Sequence, residues 1–185
     1  MTDHLWRLNE SNGDLCVRTG VEGKAASMGH RLTIAMQSWE ATVQWSGNTP
    51  VAAEAIVDVD SLRVMHGEGG VKGLSEPEKT LARSNALKTL GAGKFPQISF
   101  RADRIEKTSS GYQLTGTLEI RGKTRERVID LDVEDSGTFW QLSCEADVRQ
   151  TDFGVKPYSM LLGSMKVVDT VRVSFSANAS KNPTS

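Results

Sequence analysis

The three histidines are the first residues to consider for chemistry, because imidazole binds metals and transfers protons near neutral pH. His4, His30 and His66 stand far apart, and none has metal-ligand spacing to another histidine or to a carboxylate. No metal site and no cofactor are therefore predicted. We expect His30, which follows Gly29, to make a structural hydrogen bond at the rim of the fold.

Nucleophilic catalysis has little support in the sequence. The chain contains no Gly-x-Ser-x-Gly elbow, and Cys144 falls inside a regular strand pattern. Cys16 and Cys144 are far apart, and we interpret them as two unlinked thiols on strands. The glycine-rich stretches at 66–73 and 91–95 lack the Gly-Lys-Ser/Thr order of a phosphate loop, so both are predicted to be flexible connections.

Arg149 has two interpretations. It can meet the head group of a ligand at the mouth of the fold, since a guanidinium makes strong charge-assisted contacts. It can equally form an ion pair with Asp152 or Asp169. The sequence leaves both possibilities open.

Composition limits the classes of function. The 185 residues are 38% apolar and carry a formal net charge of −1, which does not favour a nucleic-acid partner or an anionic lipid surface. The N-terminus lacks the order of a secretory signal, and no stretch is apolar enough to span a membrane. We expect a cytoplasmic protein with no membrane insertion, formed by a single domain over residues 1–178 with a frayed tail at 179–185.

The elements that position these residues are mostly strands. Residues 111–122 alternate, with Tyr112 to Ile120 at even positions forming one apolar face. Similar short runs occupy most of the chain, and Asn12-Gly13 between two of them is a hairpin-type pair. The runs at 32–37, 39–45 and 53–64 are interpreted as neighbouring antiparallel strands. The economical architecture is an all-β antiparallel barrel of about eight strands, closed to remove its edges.

One α-helix is predicted at about residues 76–90. Ser75 and Glu78 form a capping box, Pro77 is tolerated in the first turn, and Gly91 supplies a left-handed stop. Its apolar face is expected to lie against the sheet and consists of Leu81, Ala82, Ala86, Leu87 and Leu90.

The interior of such a barrel has two possible states. A barrel of about eight strands is the size at which side chains just fill the interior or leave room for one small ligand. The residues alone do not decide between a filled core and an apolar cavity.

Four motifs follow one another in the second half of the chain, at Phe95 to Phe100, Gly116 to Thr124, Arg149 to Gly154 and Asp169 to Val171. In this order and spacing they resemble the YceI-like family of bacterial lipid-binding, lipocalin-like barrels. The stretches at 23–32 and 58–64 are similar to the family's N-terminal motifs, so the resemblance spans roughly residues 20–177. The longer stretch before the predicted helix departs from the family pattern.

The resemblance implies non-enzymatic binding of a long-chain apolar lipid, such as a polyisoprenoid, often by a homodimer. The implied ligand contacts are inward residues of the motif strands and one residue near a rim: Ile98, Phe100, Leu114, Leu118, Ile120, Ile129, Leu131, Val133 and Phe153. Each is equally compatible with an ordinary core position. The alternative function is an enzyme for a lipid-like substrate, with a dispersed site around His30 and Arg149.

Overall fold

The computed structural model of the protein describes residues 3–181 of the chain. In this range it contains fourteen strands and one α-helix, joined by turns and short 3₁₀ segments. The strands are β1 (Asp3–Asn9), β2 (Gly13–Arg18), β3 (Val21–Glu22), β4 (His30–Met36), β5 (Trp39–Ser46), β6 (Thr49–Asp58), β7 (Leu62–Gly69), β8 (Gln97–Lys107), β9 (Gly111–Ile120), β10 (Lys123–Asp135), β11 (Phe139–Arg149), β12 (Ser159–Met160), β13 (Met165–Val167) and β14 (Thr170–Ser180). The helix α1 spans Glu76–Leu90.

Eleven strands form one antiparallel sheet, in the order β1-β5-β6-β8-β9-β10-β11-β14-β2-β4-β7, and β12-β13-β3 form a small second sheet. The expected all-β class with one helix is confirmed, although the main sheet has more strands than the eight expected. Its two outermost strands, β1 and β7, do not pair with each other within the described range.

The connections force the large sheet to curl. β4 and β5 lie eight places apart in the sheet, which would be roughly 38 Å in a flat sheet. Only two residues, Gln37 and Ser38, join them, so Met36 and Trp39 are separated by at most about 11 Å. β6 and β7 are also eight places apart and are joined by Val59–Ser61. We call the junction where β4 and β7 meet β5 and β6 the seam.

An aromatic contact across the interior shows the same curvature. Trp39 on β5 and Phe175 on β14 lie six places apart in the sheet, yet their ring centroids are 5.3 Å apart in an edge-on arrangement. Trp39 is only 5% exposed. The opposite walls of the sheet therefore touch through their inward side chains.

One face of the sheet is apolar over most of its strands, because the register keeps inward residues opposite one another. The first half of β10 is the exception, since Lys123, Arg125 and Arg127 lie opposite the inward residues of β9. Leu114 pairs with Ile129, and Cys144 pairs with Phe175. The tight turn between β9 and β10 is formed by Arg121 and Gly122, both at positive φ. Such a turn matches the twist of the flanking strands, which fixes the register of this hairpin.

Helix α1 covers the interior beside the seam. It begins with the predicted capping box, in which the Ser75 hydroxyl accepts from the Glu78 amide while the Glu78 carboxylate accepts from the Ser75 amide, and ends at Gly91 in the left-handed conformation. The hydrogen bond from Ser75 holds the pKa of the Glu78 carboxyl below its usual range. Ala86, Leu87 and Leu90 pack against the buried core.

The expected helix face is wrong at Leu81, which is 58% exposed. The inward stripe follows the helical period through Arg83, Ala86, Leu87 and Leu90, and Leu81 lies off it. Arg83 occupies the stripe because its guanidinium donates to the carbonyl oxygens of Leu62 and Asp60, at 2.8 and 2.5 Å. Because leucine is apolar and arginine is charged, the sequence pattern predicted Leu81 on the inward face and left Arg83 out of it.

Three further expectations are corrected by the strand pairing. β1 and β2, which flank Asn12-Gly13, do not form a hairpin, because β1 pairs with β5 and β2 pairs with β14 and β4. β4 and β5 are not sheet neighbours but meet only at the seam. The expected flexible connection at 66–73 is part strand, since His66–Gly69 belong to β7 and pair with β4.

The expected frayed tail begins too early. Ala179 and Ser180 belong to β14, and Ala179 is 2% exposed opposite Trp140. Residues 182–185 of that tail lie outside the described range.

Two buried clusters stabilise the structure. The larger one draws residues from both sides of the seam and consists of Leu8, Ile34, Met36, Trp39, Val57, Leu62, Leu142, Ala177 and Ala179. The smaller one contains Val148, Phe153 and Val155. Leu90, at the end of the helix, packs against both clusters.

Truncating Trp39 tests whether its contact across the interior holds the walls together. We expect Trp39→Ala to lower the free energy of unfolding by about 3–5 kcal/mol, because it removes a large buried side chain. Denaturant titration is the measurement, with Leu81→Ala as an exposed control expected to change stability by no more than about 0.5 kcal/mol. A loss below about 1 kcal/mol for Trp39→Ala would contradict the described packing.

Candidate functional site: the inner face of the sheet

The structure brings eight of the nine predicted ligand contacts onto one continuous face on neighbouring strands. Phe100 lies opposite Leu118, and Ala102 lies opposite Gly116. Leu131 lies opposite Tyr112 on the same face. The eight are Ile98 and Phe100 on β8, Leu114, Leu118 and Ile120 on β9, and Ile129, Leu131 and Val133 on β10.

All eight of these residues are only half-buried, although they point inward. Phe100, Leu114 and Ile129 belong to neither of the two buried clusters. The ninth predicted contact, Phe153, differs because it is 1% exposed and packs with the smaller cluster. The middle of the inner face thus retains accessible apolar surface, whereas the Phe153 region is filled by side chains.

The wall is discontinuous between β10 and β11. These long strands pair only through Asp132–Asp135 of β10 and Trp140–Ser143 of β11. Beyond that point they splay, and the guanidinium of Arg127 donates to the carbonyl oxygen of Asp147 on the other strand. The side chain replaces backbone hydrogen bonds that the ladder no longer makes.

The gap between the separated parts of β10 and β11 is closed by the segment that follows β11. The short 3₁₀ segment Gln150–Phe153 turns inward, and Phe153 joins the smaller cluster, against which Leu118 and Ile120 pack. Arg121 donates to the carbonyl oxygen of Gly154 at 2.8 Å, which fixes this segment to the β9–β10 turn. Phe153 therefore closes one end of the interior.

The inner face carries two polar groups without a protein partner. The indole nitrogens of Trp6 and Trp45 are buried and have no hydrogen-bond acceptor within the described residues. The ring centroids of Trp6 and Trp45 are 4.7 Å apart, and the His4 ring stacks on Trp45 with a centroid distance of 5.7 Å. A buried unpaired N–H group is costly, so an acceptor brought by a ligand would be stabilised there.

His30 and Arg149 are not brought together. His30 lies on the inward face of β4, and its Nε2 donates to the carbonyl oxygen of Lys72 at 2.7 Å. Arg149 ends β11 with outward strand parity, and its Nε lies 3.7 Å from Asp169. Hydrogen bonds from Thr151, together with Arg149, hold the pKa of the Asp169 carboxyl below its usual range.

A cationic groove beside this end of the interior was not predicted. It has a volume of about 390 Å³ and is lined by Asn85, Lys88, Thr89, Arg121, Lys156, Pro157, Tyr158 and Ser159. Within residues 3–181, none of its three cationic side chains pairs with a carboxylate. The three cations come from separate segments, so no sequence pattern could have joined them. A second open groove, of about 440 Å³, lies along one flank of the helix, where Arg83 and Leu87 line it together with Lys94.

The two cysteines mark opposite faces of the sheet. Cys144 lies on the inner face of β11 beside the splay, whereas Cys16 on β2 has outward parity opposite Ser174. Both are free thiols. Burial, with smaller contributions from the charges of Asp132 and Glu145, raises the pKa of the Cys144 thiol to about 11.

Among residues 3–181, no group of three or more His, Cys, Asp or Glu side chains is arranged to hold a metal ion. The helix of the described chain is too short and too polar to cross a bilayer.

The chain belongs to the YceI-like family, since the sequence profile of the YceI-like domain matches residues 6–179. The resemblance read from the motifs is therefore confirmed and extends further toward the N-terminus. No curated protein shows a significant match to the sequence.

The solved structures that share the fold include those of two bacterial proteins. Burkholderia cenocepacia BcnA superposes with a TM-score of 0.67 at 16% identity, over 92% of this chain and 98% of that protein. A Campylobacter jejuni YceI protein superposes with a TM-score of 0.58 at 15% identity, over 81% of this chain and 85% of that protein. At these identities the likeness establishes the fold alone.

The Cys144 thiol gives a test of the inner-face geometry. In the Cys16→Ser variant, we expect alkylation by iodoacetamide to accelerate about tenfold per pH unit between about pH 7 and pH 10, because the thiolate is the reacting form and the pKa is about 11. At about pH 8 the rate is expected to be about two orders of magnitude below that of free cysteine. A rate that levels off by about pH 9 would contradict the described burial of this thiol.

Proposed function

We propose that the protein binds a long apolar lipid, of polyisoprenoid or fatty-acyl type, in the interior of the curled sheet and catalyses no reaction on it. One observation carries the proposal: the inward residues in the middle of β8, β9 and β10 are apolar yet only half-buried. A face that merely filled a core would be covered by the opposite wall. Here the walls touch elsewhere, at Trp39 and Phe175.

The energetics suit an apolar chain. Moving a chain out of water stabilises the complex by about 0.8 kcal/mol per buried methylene, so a long lipid needs few polar contacts. This is consistent with a site made of Phe100, Leu114, Ile129 and their neighbours. The proposed contacts are the eight half-buried residues, with Phe153 closing one end.

The polar end of the lipid fits the cationic groove. Arg121 and Lys156 line that groove, and Ile120, directly before Arg121, belongs to the inner face. Lys88 belongs to the last turn of α1, two residues before the inward-packed Leu90. A carboxylate or phosphate head group at the groove would thus leave its chain close to the interior.

The alternative function, an enzyme using His30 and Arg149, has less support. The two side chains have opposite strand parity, and each already has a partner within the protein. Three expectations remain predictions: that Arg149 contacts a head group, that the protein forms a homodimer, and that it is cytoplasmic.

A matched pair of tryptophan substitutions tests the cavity. Ile129→Trp adds volume on the inner face, and Val128→Trp adds the same ring on the outer face, where Val128 is 53% exposed. We expect Ile129→Trp to retain its fold and to lose at least about tenfold in affinity for prenyl and acyl lipids, since the ring occupies the space of several methylenes. Native mass spectrometry of lipid-loaded protein is the measurement, and Val128→Trp is expected to load normally.

A filled core makes the opposite prediction. Overpacking would then lower the stability of Ile129→Trp by about 1–3 kcal/mol, and neither variant would bind lipid.

The cysteines give a second readout, because bound lipid should protect Cys144 from a hydrophobic maleimide and leave Cys16 unprotected. If bound lipid leaves the labelling rate of Cys144 unchanged, as it is expected to leave that of Cys16, the result contradicts an interior site.

A further inference from the structure

An exposed apolar turn projects from the small second sheet. This turn, the leucine tip, consists of Met160, the last residue of β12, and the 3₁₀ segment Leu161–Gly163 that follows it. Leu162 is 108% exposed, Leu161 is 53% exposed and Met160 is 42% exposed. No other apolar side chain of the described residues is as exposed as Leu162, so Leu162 gains nothing from burial within this chain.

The backbone of the tip is strained as well. Leu161 and Leu162 both have positive φ, at 52° and 55°, and Gly163 follows at 87°. Residues with a Cβ rarely adopt this conformation, whereas Asn and Gly tolerate it. Two consecutive leucines are therefore a poor choice for folding alone, and their presence points to contact with something outside the chain.

The charge around the tip is mostly positive. Residues 154–168 contain Lys156 and Lys166 and no acid, and residues 23–31 contain Lys24 and Arg31 and no acid. Counted with Glu22 and Glu68, the acids that pair with Lys166 and Arg31, this end carries a formal charge of +2, and the remainder of the chain, with 18 basic and 21 acidic side chains, carries −3.

The two segments meet in the structure, because the Ala25 amide donates to the carbonyl oxygen of Ser164 at 2.8 Å. Met28, 56% exposed, belongs to the same region. Lys166 pairs with Glu22 and Arg31 with Glu68, which leaves Lys24 and Lys156 without a carboxylate partner among the described residues.

The tip is continuous with the cationic groove. Tyr158 and Ser159 line the groove, and Met160 follows directly. A surface that held the leucine tip would therefore also face the groove opening.

We propose that the leucine tip docks the protein on an anionic phospholipid bilayer, with Leu161 and Leu162 at the boundary of the acyl chains and Lys24 and Lys156 at the head groups. The inference rests on the proposed function in one respect: the bilayer is the source or destination of the lipid bound inside. The net charge of −1 does not by itself favour such a partner. It is, however, the sum of a positively charged end, which carries the tip, and a negatively charged remainder.

Vesicle co-sedimentation tests the docking. The protein is expected to bind vesicles containing phosphatidylglycerol and to bind phosphatidylcholine vesicles less well. The double variant Leu161→Asn with Leu162→Asn, which suits positive φ, should reduce binding at least about tenfold through loss of two buried leucines. Lys24→Glu with Lys156→Glu should remove the preference for phosphatidylglycerol, since each lysine near an anionic surface contributes about fivefold.

The control variant is Leu81→Ser with Val128→Ser, two exposed apolar residues outside the tip, at 58% and 53% exposure. It should sediment like the unaltered protein. The proposal is overturned if the asparagine variant still sediments normally, or if the control loses binding equally. It is also overturned if the asparagine variant abolishes self-association in analytical ultracentrifugation while the unaltered protein binds no vesicles, because the tip then joins two copies.

Loading in solution separates this proposal from the proposed function. When lipid is added from ethanol in the absence of vesicles, native mass spectrometry should show equal loading of the unaltered protein and the asparagine variant. If neither loads, the interior binding site fails, and vesicle binding still decides the role of the tip.

Discussion

The structure depends on the two short connections that cross the seam. Gln37–Ser38 and Val59–Ser61 each join strands eight places apart in the sheet, and a chain this short permits that only if the sheet bends through most of a turn. Curvature then gives the sheet an inside, and the alternation of side chains makes that inside apolar. The interior is thus a consequence of connectivity before it is a consequence of any particular residue.

The same curvature explains why burial differs along the inner face. Where bulky side chains meet across the interior, as Trp39 meets Phe175, the walls are in contact. At the other end Phe153 fills the space between β9 and β11. The central strands lie between these contacts, and there Phe100, Leu114 and Ile129 have no opposing cluster. Half-buried apolar side chains between packed regions are where an apolar chain would gain most from leaving water.

Local patterns in the sequence predicted local structure well. The alternation of residues 111–120 assigned the inward face of β9 correctly, and the capping box with Gly91 gave the bounds of α1, because both signals lie within a few residues. Pairing over long distances could not be predicted. Asn12-Gly13 has the chemistry of a hairpin turn, yet β1 and β2 belong to distant parts of the sheet. The cationic groove and the placement of Arg83 toward the seam depend on the same long-range geometry.

The pairing of β2 with β14 also has a consequence for biosynthesis. Arg18 and Arg172 are partners although 154 residues separate them, and β14 stands between β11 and β2 in the sheet. Until the last strand leaves the ribosome, both β11 and β2 present unpaired edges, and the curled sheet cannot form as a whole. Such non-local pairing slows folding and exposes strand edges to aggregation. The nascent chain therefore carries two aggregation-prone strand edges until β14 has emerged.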